Sequence, residues 1–394
     1  MDDEPVARGR RRQGRVARTA WMTGRVIVAL LSATALAAVG LTRDTVEEVR
    51  EKTPTTDVLS DEVQKTAPPA DDGANDILVV GSDTRTDAQG RPLPASILKQ
   101  LRTEAADGVN TDTIILLRIP KDGSKGYAIS IPRDTYVSIP GYRDDKINAA
   151  YGATKYLKSQ QMEAAGEKDR ELIERESDKV GRSSLAQAVQ NLTGVRVDHY
   201  AEVNLYGFYL LTDAIGGVTV CLNHATSDTN SGANFRKGVQ KISGGAALSF
   251  VRQRDGLPRG DLDRIVRQQV FLGSAMRQVL TAQTLADGTK LAKLTDAVSK
   301  SVIVDPGLDI LQLAKHLSEL SSGAVDFVTI PVEAVGARND RGQSIITVDN
   351  NKVKSYVAGL LGRQPSNFSG SGPLRLNGAQ QQQPATVDGV RCVD

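Results

Sequence analysis

Residues 76–81 read DILVVG and residues 113–119 read TIILLRI, and these two runs decide the fold class. Both are short, rich in β-branched residues and bounded by turn residues, which is typical of buried strands. Further runs share these features: YAISI at 127–131, YAEVNL at 200–205 and VTVCL at 218–222. These runs therefore predict five buried strands.

Amphipathic stretches separate the predicted strands, and their spacing predicts helices. They cover residues 146–159, 182–192, 205–215, 263–282 and 308–320. Because strands and helices alternate along the chain, the sequence predicts an α/β domain with three layers.

The overall composition excludes several classes of function. The chain has 394 residues and a formal net charge of +2, so the whole molecule does not attract nucleic acid. Its two cysteines lie too far apart for a local metal motif, and its three histidines have no zinc-binding spacing. Zinc chemistry and histidine-based acyl transfer are therefore disfavoured.

The N-terminal region predicts export. Residues 26–42, VIVALLSATALAAVGLT, carry no charge, and a cluster of arginines precedes them. This pattern predicts a basic cytoplasmic segment at 1–23, a transmembrane helix at 24–42 and the remaining chain outside a single-pass cell membrane protein. The alternative is a cleaved signal peptide. Either topology exports most of the chain.

Three other segments differ in composition from the predicted domain at 75–363. Residues 43–74 are polar, acidic and rich in proline, which predicts an extracytoplasmic stalk. Residues 160–180 consist mainly of charged helix formers and predict a solvated helical insertion. Residues 364–394 are rich in Ser, Gly, Gln and Pro and predict a flexible tail.

Charged residues concentrate in segments at the ends of predicted strands, where α/β proteins collect their active sites. The segments are GSDTR at 81–85, NTDT at 110–113, residues 131–152 and residues 249–269. The last segment clusters arginines at a strand-to-helix junction, and such a cluster suits a polyanion such as pyrophosphate. These arginines are Arg252, Arg254, Arg259, Arg264 and Arg267. The alternative is a surface salt-bridge network.

Asp83 and Asp112 are candidate ligands for a divalent cation. Mg²⁺ in phosphate sites is usually held by one or two carboxylates together with phosphate oxygens. If the two strands pair in parallel, these carboxylates lie at opposite ends of the sheet. Antiparallel pairing, or a chain that folds back between them, would bring them together. Turn capping is the alternative role for each aspartate.

Several blocks together resemble the LytR-CpsA-Psr family of cell-wall glycopolymer phosphotransferases, actinobacterial type. The blocks occur in order: GSDTR, TDTIILL, SIPRDTYVSIPG, DKINAAY, HYAEVNLYGF, DAIGGVTV, GGAALSFVRQR and GDLDRIVRQQ. The resemblance runs from residue 76 to residue 269. It implies a three-layer α/β/α sandwich around a central mixed sheet, preceded by one transmembrane helix.

The resemblance also implies a reaction and its partners. Such enzymes move a glycopolymer from a polyprenyl pyrophosphate carrier onto peptidoglycan at the membrane, through a phosphodiester bond. It implies Mg²⁺, or Mn²⁺, on Asp83 and Asp112. A polyprenyl-pyrophosphate hydrolase and a membrane-bound regulator of envelope genes are the alternative functions.

Family positions carry over to further residues of this chain. The catalytic set implied is Arg85, Arg133, Asp134, Arg252, Arg254 and Arg264. The substrate-binding set implied is Lys146, Asn148, Arg259, Arg267 and Gln268.

The two cysteines, Cys221 and Cys392, lead to a separate prediction. Cys221 ends a predicted strand, and the exported compartment permits disulfides. We therefore expect a bridge that fastens the tail to the domain. The alternative is two free thiols, with Cys221 packed as a small apolar residue.

Overall fold

A computed structural model describes residues 53–70, 73–87, 90–103, 109–279, 288–309, 313, 325–362, 386–387 and 390–394. The strands are β1 Ala74–Ser82, β2 Thr111–Pro120, β3 Gly126–Ser130, β4 Tyr136–Ser138, β5 Asp144–Lys146, β6 His199–Val203, β7 Val218–Leu222, β8 Thr226–Asp228, β9 Ala233–Phe235, β10 Gly238–Ile242, β11 Val302–Val304, β12 Val325–Thr329, β13 Ala334–Arg338, β14 Ser344–Thr347, β15 Thr386–Val387 and β16 Val390–Val393. The helices are α1 Asp61–Lys65, α2 Ala95–Gln100, α3 Ala149–Ala164, α4 Arg170–Thr193, α5 Leu205–Ala214, α6 Gly244–Arg252, α7 Asp261–Val279, α8 Gly288–Ser301 and α9 Asn350–Leu360.

The central sheet is mixed and has the strand order β11-β6-β1-β2-β3-β12. β1 pairs antiparallel with β2 and parallel with β6, while β3 pairs parallel with β12. The five apolar runs of the sequence all form strands, so this part of the prediction is confirmed. Four of them lie in the central sheet, and the run at 218–222 becomes β7 of a second sheet.

Helices pack on both faces of the central sheet. On one face, Leu78 and Val80 join a buried cluster with Tyr151 of α3, Leu185 of α4 and Val353 of α9. On the other face, the Gln269 side chain of α7 donates hydrogen bonds to the Ser130 hydroxyl of β3, to the Val328 carbonyl and to the Thr329 hydroxyl of β12. The alternating pattern in the sequence therefore corresponds to a layered mixed α/β domain.

A second sheet, with the order β10-β7-β16-β15, packs against α6 and α7 through Val220, Phe250 and Phe271. Cys221 of β7 and Cys392 of β16 pair in register and form a disulfide. The predicted bridge is confirmed. Residues 390–394 are therefore an ordered part of the domain, which corrects the prediction that all of 364–394 is a flexible tail.

Residues 53–65, the N-terminal strap, correct the predicted stalk at 43–74. Thr56 N–H donates to the Val304 carbonyl at 2.8 Å, so the strap extends along the edge strand β11. Val58 is fully buried in the main core cluster, and the Ser183 hydroxyl donates to its carbonyl. Polarity and proline suggested an extended segment. Scattered apolar residues and an open sheet edge instead hold it on the domain.

The charged stretch at 160–180 occupies the end of α3, the turn after it and the first half of α4. The Asp169 carboxylate caps α4 by accepting from the N–H groups of Glu171 and Leu172. Within the stretch, Ile173 and Ser177 are buried. The two helices α3 and α4 pack against each other and form one helical hairpin.

Other elements lay outside the sequence predictions. Helix α8 and the short strands β8, β9 and β13 were not expected, and the pattern predicted at 308–320 lies mostly outside the described residues. Among the described helices, none combines the length and hydropathy that a membrane span requires. The span predicted at 24–42 is outside the described residues.

Candidate active site

Antiparallel pairing of β1 with β2 brings Asp83 and Asp112 to the same end of the sheet. Asp83 N–H donates to the Asn110 carbonyl at 3.0 Å, and the Asp83 carboxylate accepts from Asn110 N–H at 2.7 Å. The sequence left two ways of bringing these aspartates together, and the structure has the antiparallel one.

Asp112 lies in an irregularity of the strand pairing. Gly81 pairs with Thr113 and Ser82 pairs with Thr111, so Asp112 has no partner across the ladder. Such bulges redirect a side chain and often lie beside active sites. A Cβ at Gly81 would come within 2.9 Å of the Thr113 side chain, so glycine permits this close pairing.

Arg133 is the cation at the centre of the carboxylates. Its Nη1 donates to Asp112 Oδ1 at 2.5 Å, and its Nε lies 3.3 Å from Asp261 and 3.8 Å from Asp134. Asp134 also pairs with Lys146 Nζ at 2.9 Å. Three of the charged segments, at 110–113, 131–152 and 249–269, therefore meet around one guanidinium group.

Charge coupling fixes the protonation states of this pair. Burial alone would raise the pKa of Asp112, but Arg133 and Arg264 outweigh it and hold that pKa below its ordinary value. Burial would lower the pKa of Arg133, but Asp112 and Asp261 outweigh it and raise that pKa. Both groups are therefore charged at neutral pH.

Arg85, Arg252 and Arg264 form a second group beside these carboxylates, and it has an excess of positive charge. Burial, followed by repulsion from Arg85, lowers the pKa of Arg252. Burial and repulsion from Arg133 lower the pKa of Arg264 in the same way. Exposed Arg254 is close enough to contribute to both the Asp112 and Arg264 shifts.

Across Arg133 and this second group, four guanidinium nitrogens are buried without a partner in hydrogen-bond geometry. They are Arg85 Nε, Arg133 Nε, Arg252 Nη1 and Arg264 Nε. Buried donors are normally satisfied, and an unsatisfied charged donor is costly. Convergent, unsatisfied cationic donors match the oxygens of a phosphate or pyrophosphate group.

Asp261 was not assigned a role from the sequence, although it lies among the arginines of residues 249–269. It begins α7 directly after Gly260, which has φ +54°, and it contacts Arg264 Nη2 at 2.8 Å as well as Arg133. Both of its carboxylate oxygens are buried without hydrogen-bond geometry to any partner. The Gly-Asp pair before a helix was the available signal.

The remaining predicted site residues make other contacts. Arg259 pairs with Asp263 and is 59% exposed, while the Gln268 amide donates to the Val251 carbonyl. Arg267 is buried and contacts Gln253 and the carbonyl of Asp394. Asn148 reaches the site through its backbone, since its N–H donates to the Arg133 carbonyl.

The donor set of Asp83 and Asp112 fits a hard divalent cation. Both are carboxylates at one end of the sheet, beside donors suited to phosphate, and Mg²⁺ typically takes one or two carboxylates plus phosphate oxygens. No cluster of three or more His, Cys, Asp or Glu residues suited to a metal occurs in the described ranges. A cation here would therefore need ligands from substrate or water.

A cleft of about 1040 Å³ lies elsewhere, between the N-terminal strap and the α3–α4 hairpin. Its lining includes Ser60, Pro140, Leu157 and Ser183, but none of the charged residues gathered around Arg133. This cleft is therefore separate from the charged site.

Comparison with known proteins places this constellation in a family. The model of the LytR_cpsA_psr family matches residues 36–360, which include every residue of the site. The chain belongs to the LytR_cpsA_psr family.

The resemblance noted in the sequence is thereby confirmed. The chain is 48% identical over 303 residues to "Cell wall biosynthesis protein LcpA" of Corynebacterium glutamicum, covering 77% of this chain and 58% of LcpA. It is 32% identical to the polyisoprenyl-teichoic acid–peptidoglycan teichoic acid transferase TagU of Oceanobacillus iheyensis, covering 64% of this chain and 72% of TagU. The chain thus spans little more than half of LcpA.

Solved structures share the fold of this LytR_cpsA_psr member. The crystal structure of B. subtilis TagV superposes with a TM-score of 0.52 at 22% identity, covering 75% of this chain and 100% of TagV. The LytR-Csp2A-Psr enzyme from Actinomyces oris superposes with a TM-score of 0.51 at 18% identity, covering 78% of this chain and 95% of that enzyme. At this identity, the likeness concerns the fold.

Proposed function

We propose that the protein is an extracytoplasmic phosphotransferase that attaches a glycopolymer from a polyprenyl pyrophosphate carrier to peptidoglycan. The observation that carries the proposal is the set of buried, unsatisfied guanidinium nitrogens on Arg85, Arg133, Arg252 and Arg264. These donors surround the end of the sheet that holds Asp83 and Asp112. The names of the relatives LcpA and TagU, which refer to cell-wall synthesis and teichoic acid transfer, support the same conclusion.

The proposed reaction forms one phosphorus–oxygen bond and breaks another. An acceptor hydroxyl oxygen attacks the phosphorus atom that carries the glycan, and the bond from that phosphorus to the bridging oxygen breaks. Polyprenyl phosphate leaves with the bonding electron pair, and the hydroxyl proton passes to a base or to water. The cationic donors around Asp112 would stabilise the transition state, because they would offset the charge that develops on the bridging oxygen and on the equatorial oxygens.

We propose that Asp83 and Asp112 hold Mg²⁺ or Mn²⁺ when substrate is bound. The cation would supply charge neutralisation at the phosphate oxygens. Arg133 keeps Asp112 ionised, and Asn110 fixes the orientation of Asp83 through two hydrogen bonds. Arg133 thus holds Asp112 in the deprotonated form that a cation requires, and Asn110 orients the Asp83 carboxylate.

The membrane topology belongs to the same proposal. The basic residues before position 26 and the uncharged run at 26–42 support one membrane span, with its N-terminus in the cytoplasm. The Cys221–Cys392 disulfide supports an oxidising compartment for the domain. Both observations favour catalysis on the outer surface of the cell membrane.

Product analysis tests the proposed function. Purified enzyme, a short-chain polyprenyl pyrophosphate glycan, Mg²⁺ and peptidoglycan fragments should give a glycan phosphodiester on a sugar hydroxyl together with polyprenyl phosphate. Mass spectrometry in ¹⁸O-labelled water distinguishes transfer from hydrolysis. If glycan phosphate carries solvent oxygen in place of the acceptor sugar, the enzyme is a hydrolase. If the donor stays intact, the proposal of enzymatic activity fails.

A further inference from the structure

The sequence predicts that Arg267 binds substrate, but two of its three guanidinium nitrogens donate to partners inside the protein. The side chain is 1% exposed and lies over the Phe250 ring, with its guanidinium carbon 5.1 Å from the centroid. Its Nη1 donates to Gln253 Oε1 at 2.7 Å, and its Nε donates to the carbonyl of Asp394. One arm reaches the Gln253 side chain and the other reaches the backbone of Asp394, so the guanidinium connects these two segments.

Gln253 receives one arm of this connector. It follows the last residue of α6 with φ −57° and ψ 134°, so the chain turns from helix to extended backbone at this position. Its side chain is fully buried, and its amide nitrogen donates to the Thr226 hydroxyl and to the Asp255 carbonyl. Every hydrogen-bonding atom of the amide is therefore engaged.

The position of Gln253 in the chain gives this arrangement its significance. Its two neighbours are Arg252, which has a buried Nη1 without a hydrogen-bond partner, and Arg254, which acts on the Asp112 carboxylate. Fixing the side chain between them restricts the backbone of both arginines. Side chains that bind a reacting group need such support to stay within a fraction of an ångström of the productive geometry.

The second arm connects this turn to the end of the described chain. Asp394 follows β16, which pairs with β7 at Cys221 and Leu222 and is fastened there by the disulfide. Val393 is buried against the second sheet, and its carbonyl accepts from Asn223 N–H at 2.8 Å. The residue whose carbonyl accepts from Arg267 is therefore held in place through β16.

We infer that Arg267 and Gln253 form a buried clamp that positions Arg252 and Arg254 for pyrophosphate, with β16 as its anchor. The inference rests on the proposed function for the identity of the ligand. In this assignment Arg267 is a positioning residue and does not touch substrate. Burial lowers the pKa of Arg267 to about 10, so the clamp stays charged at neutral pH.

The clamp can be tested with Arg267→Met, Gln253→Met and the double variant. Arg277→Met is the matched control, because Arg277 is an exposed arginine on the same helix that bonds only Ser274 among the contacts described for it. The first readout is calorimetric binding of inorganic pyrophosphate with Mg²⁺. Misplacing binding groups by about 1 Å can cost up to roughly a hundredfold, so each single variant should bind about tenfold to a hundredfold more weakly.

The double variant should lose no more pyrophosphate affinity than the weaker-binding single variant, because both substitutions disrupt the same hydrogen-bonded unit. The second readout is amide hydrogen exchange, which should rise in residues 251–256 and stay unchanged in the central sheet. Arg267→Lys should bind with intermediate affinity, since it keeps the charge but loses the planar fork. Arg277→Met should match the wild type in both readouts.

Two outcomes would overturn the clamp. One is pyrophosphate affinity of Arg267→Met within twofold of the wild type. The other is exchange that rises evenly across the domain, which would mean that Arg267 stabilises the fold as a whole. The proposed function fails separately, if the wild-type protein binds pyrophosphate but neither transfers nor cleaves the glycan donor. In that case, local exchange in residues 251–256 still decides the clamp.

Discussion

At the scale of single residues, arginines with the same proposed ligand have opposite effects on the stability of the substrate-free domain. Arg133 is surrounded by Asp112, Asp134 and Asp261, so it offsets negative charge whether or not substrate is present. Arg252 faces Arg85 and keeps a buried nitrogen unsatisfied, so it raises the free energy of the substrate-free domain. Functional sites commonly sacrifice stability in this way.

Replacing each arginine by alanine should separate these roles. Arg133→Ala and Arg252→Ala should each lower kcat/KM at least about thirtyfold, because phosphate contacts are lost. This corresponds to a loss of transition-state stabilisation on the order of 2–4 kcal/mol. Arg133→Ala should also lower the melting temperature, because the buried carboxylates lose their counterion. The corresponding loss in the free energy of unfolding is about 1–3 kcal/mol. The melting temperature should stay the same or rise for Arg252→Ala. Thermal unfolding and steady-state kinetics measure both effects, and equal destabilisation by the two variants would contradict the assignment.

Asp83 should control the requirement for metal. Asp83→Ala should shift activation by Mg²⁺ to at least about tenfold higher concentration, because one of two carboxylate ligands is lost. Asp87→Ala is the control, since Asp87 lies in the same loop and pairs with exposed Arg91. Titration of transfer activity against Mg²⁺ measures the shift. Full wild-type activity after exhaustive chelation would show that no cation is needed.

The sequence identified most of these residues because charge clusters at strand ends are visible in a linear chain. It could not reveal that the Arg267 side chain is hydrogen-bonded to Gln253 and Asp394, because Asp394 lies 127 residues away in the chain. It also could not separate Arg259 from Arg264. Arg259 precedes α7 and pairs with Asp263 at the surface, whereas Arg264 lies in the first turn of α7, is buried and donates to the Asp112 carbonyl.

At the scale of elements, the α3–α4 hairpin depends on one close approach. Gly181 of α4 faces Tyr151 of α3, and a Cβ at this position would lie 2.3 Å from the Tyr151 ring. The Tyr151 hydroxyl donates to Asp178 at 2.9 Å, and Arg182 pairs with buried Glu202 of β6. The hairpin is thus fastened to itself and to the central sheet.

Gly181→Ala should therefore destabilise the domain by about 1–3 kcal/mol, although alanine is the better helix former. Gly359→Ala in α9 is the matched control, because a Cβ there meets nothing within 4 Å. That substitution should be neutral or stabilising by up to about 1 kcal/mol. Chemical denaturation measures both. Equal stability of the two variants would contradict the packing of α3 on α4.

Element types were easier to predict than element partners. The runs at 76–81 and 113–119 were recognisable because buried strands are continuously apolar, and the structure confirms both. Their antiparallel pairing, the bulge at Asp112 and the packing of the strap were not recognisable. Each of these depends on contacts between segments whose local composition is compatible with several arrangements.

At the scale of the whole molecule, the disulfide joins two residues that are 171 positions apart in the chain. Cys392→Ser should lower the free energy of unfolding, with on the order of 4–5 kcal/mol as the upper limit from chain entropy. The loss of buried Val393 contacts would add to the effect if β16 detaches. Thermal unfolding of the variant and of reduced wild-type protein should agree. Recovery of both cysteines as alkylatable thiols, without prior reduction, would exclude the bridge.

The N-terminal strap sets a limit on reach. If residues 24–42 span the membrane, only residues 43–52 connect the bilayer to the first strap residue that the structure describes, Thr53. Ten residues extend at most about 36 Å. An enzyme on so short a tether works in the thin layer of space next to the lipid headgroups. New wall material must then pass through that layer to be modified, and older wall farther from the membrane would lie beyond the reach of the enzyme.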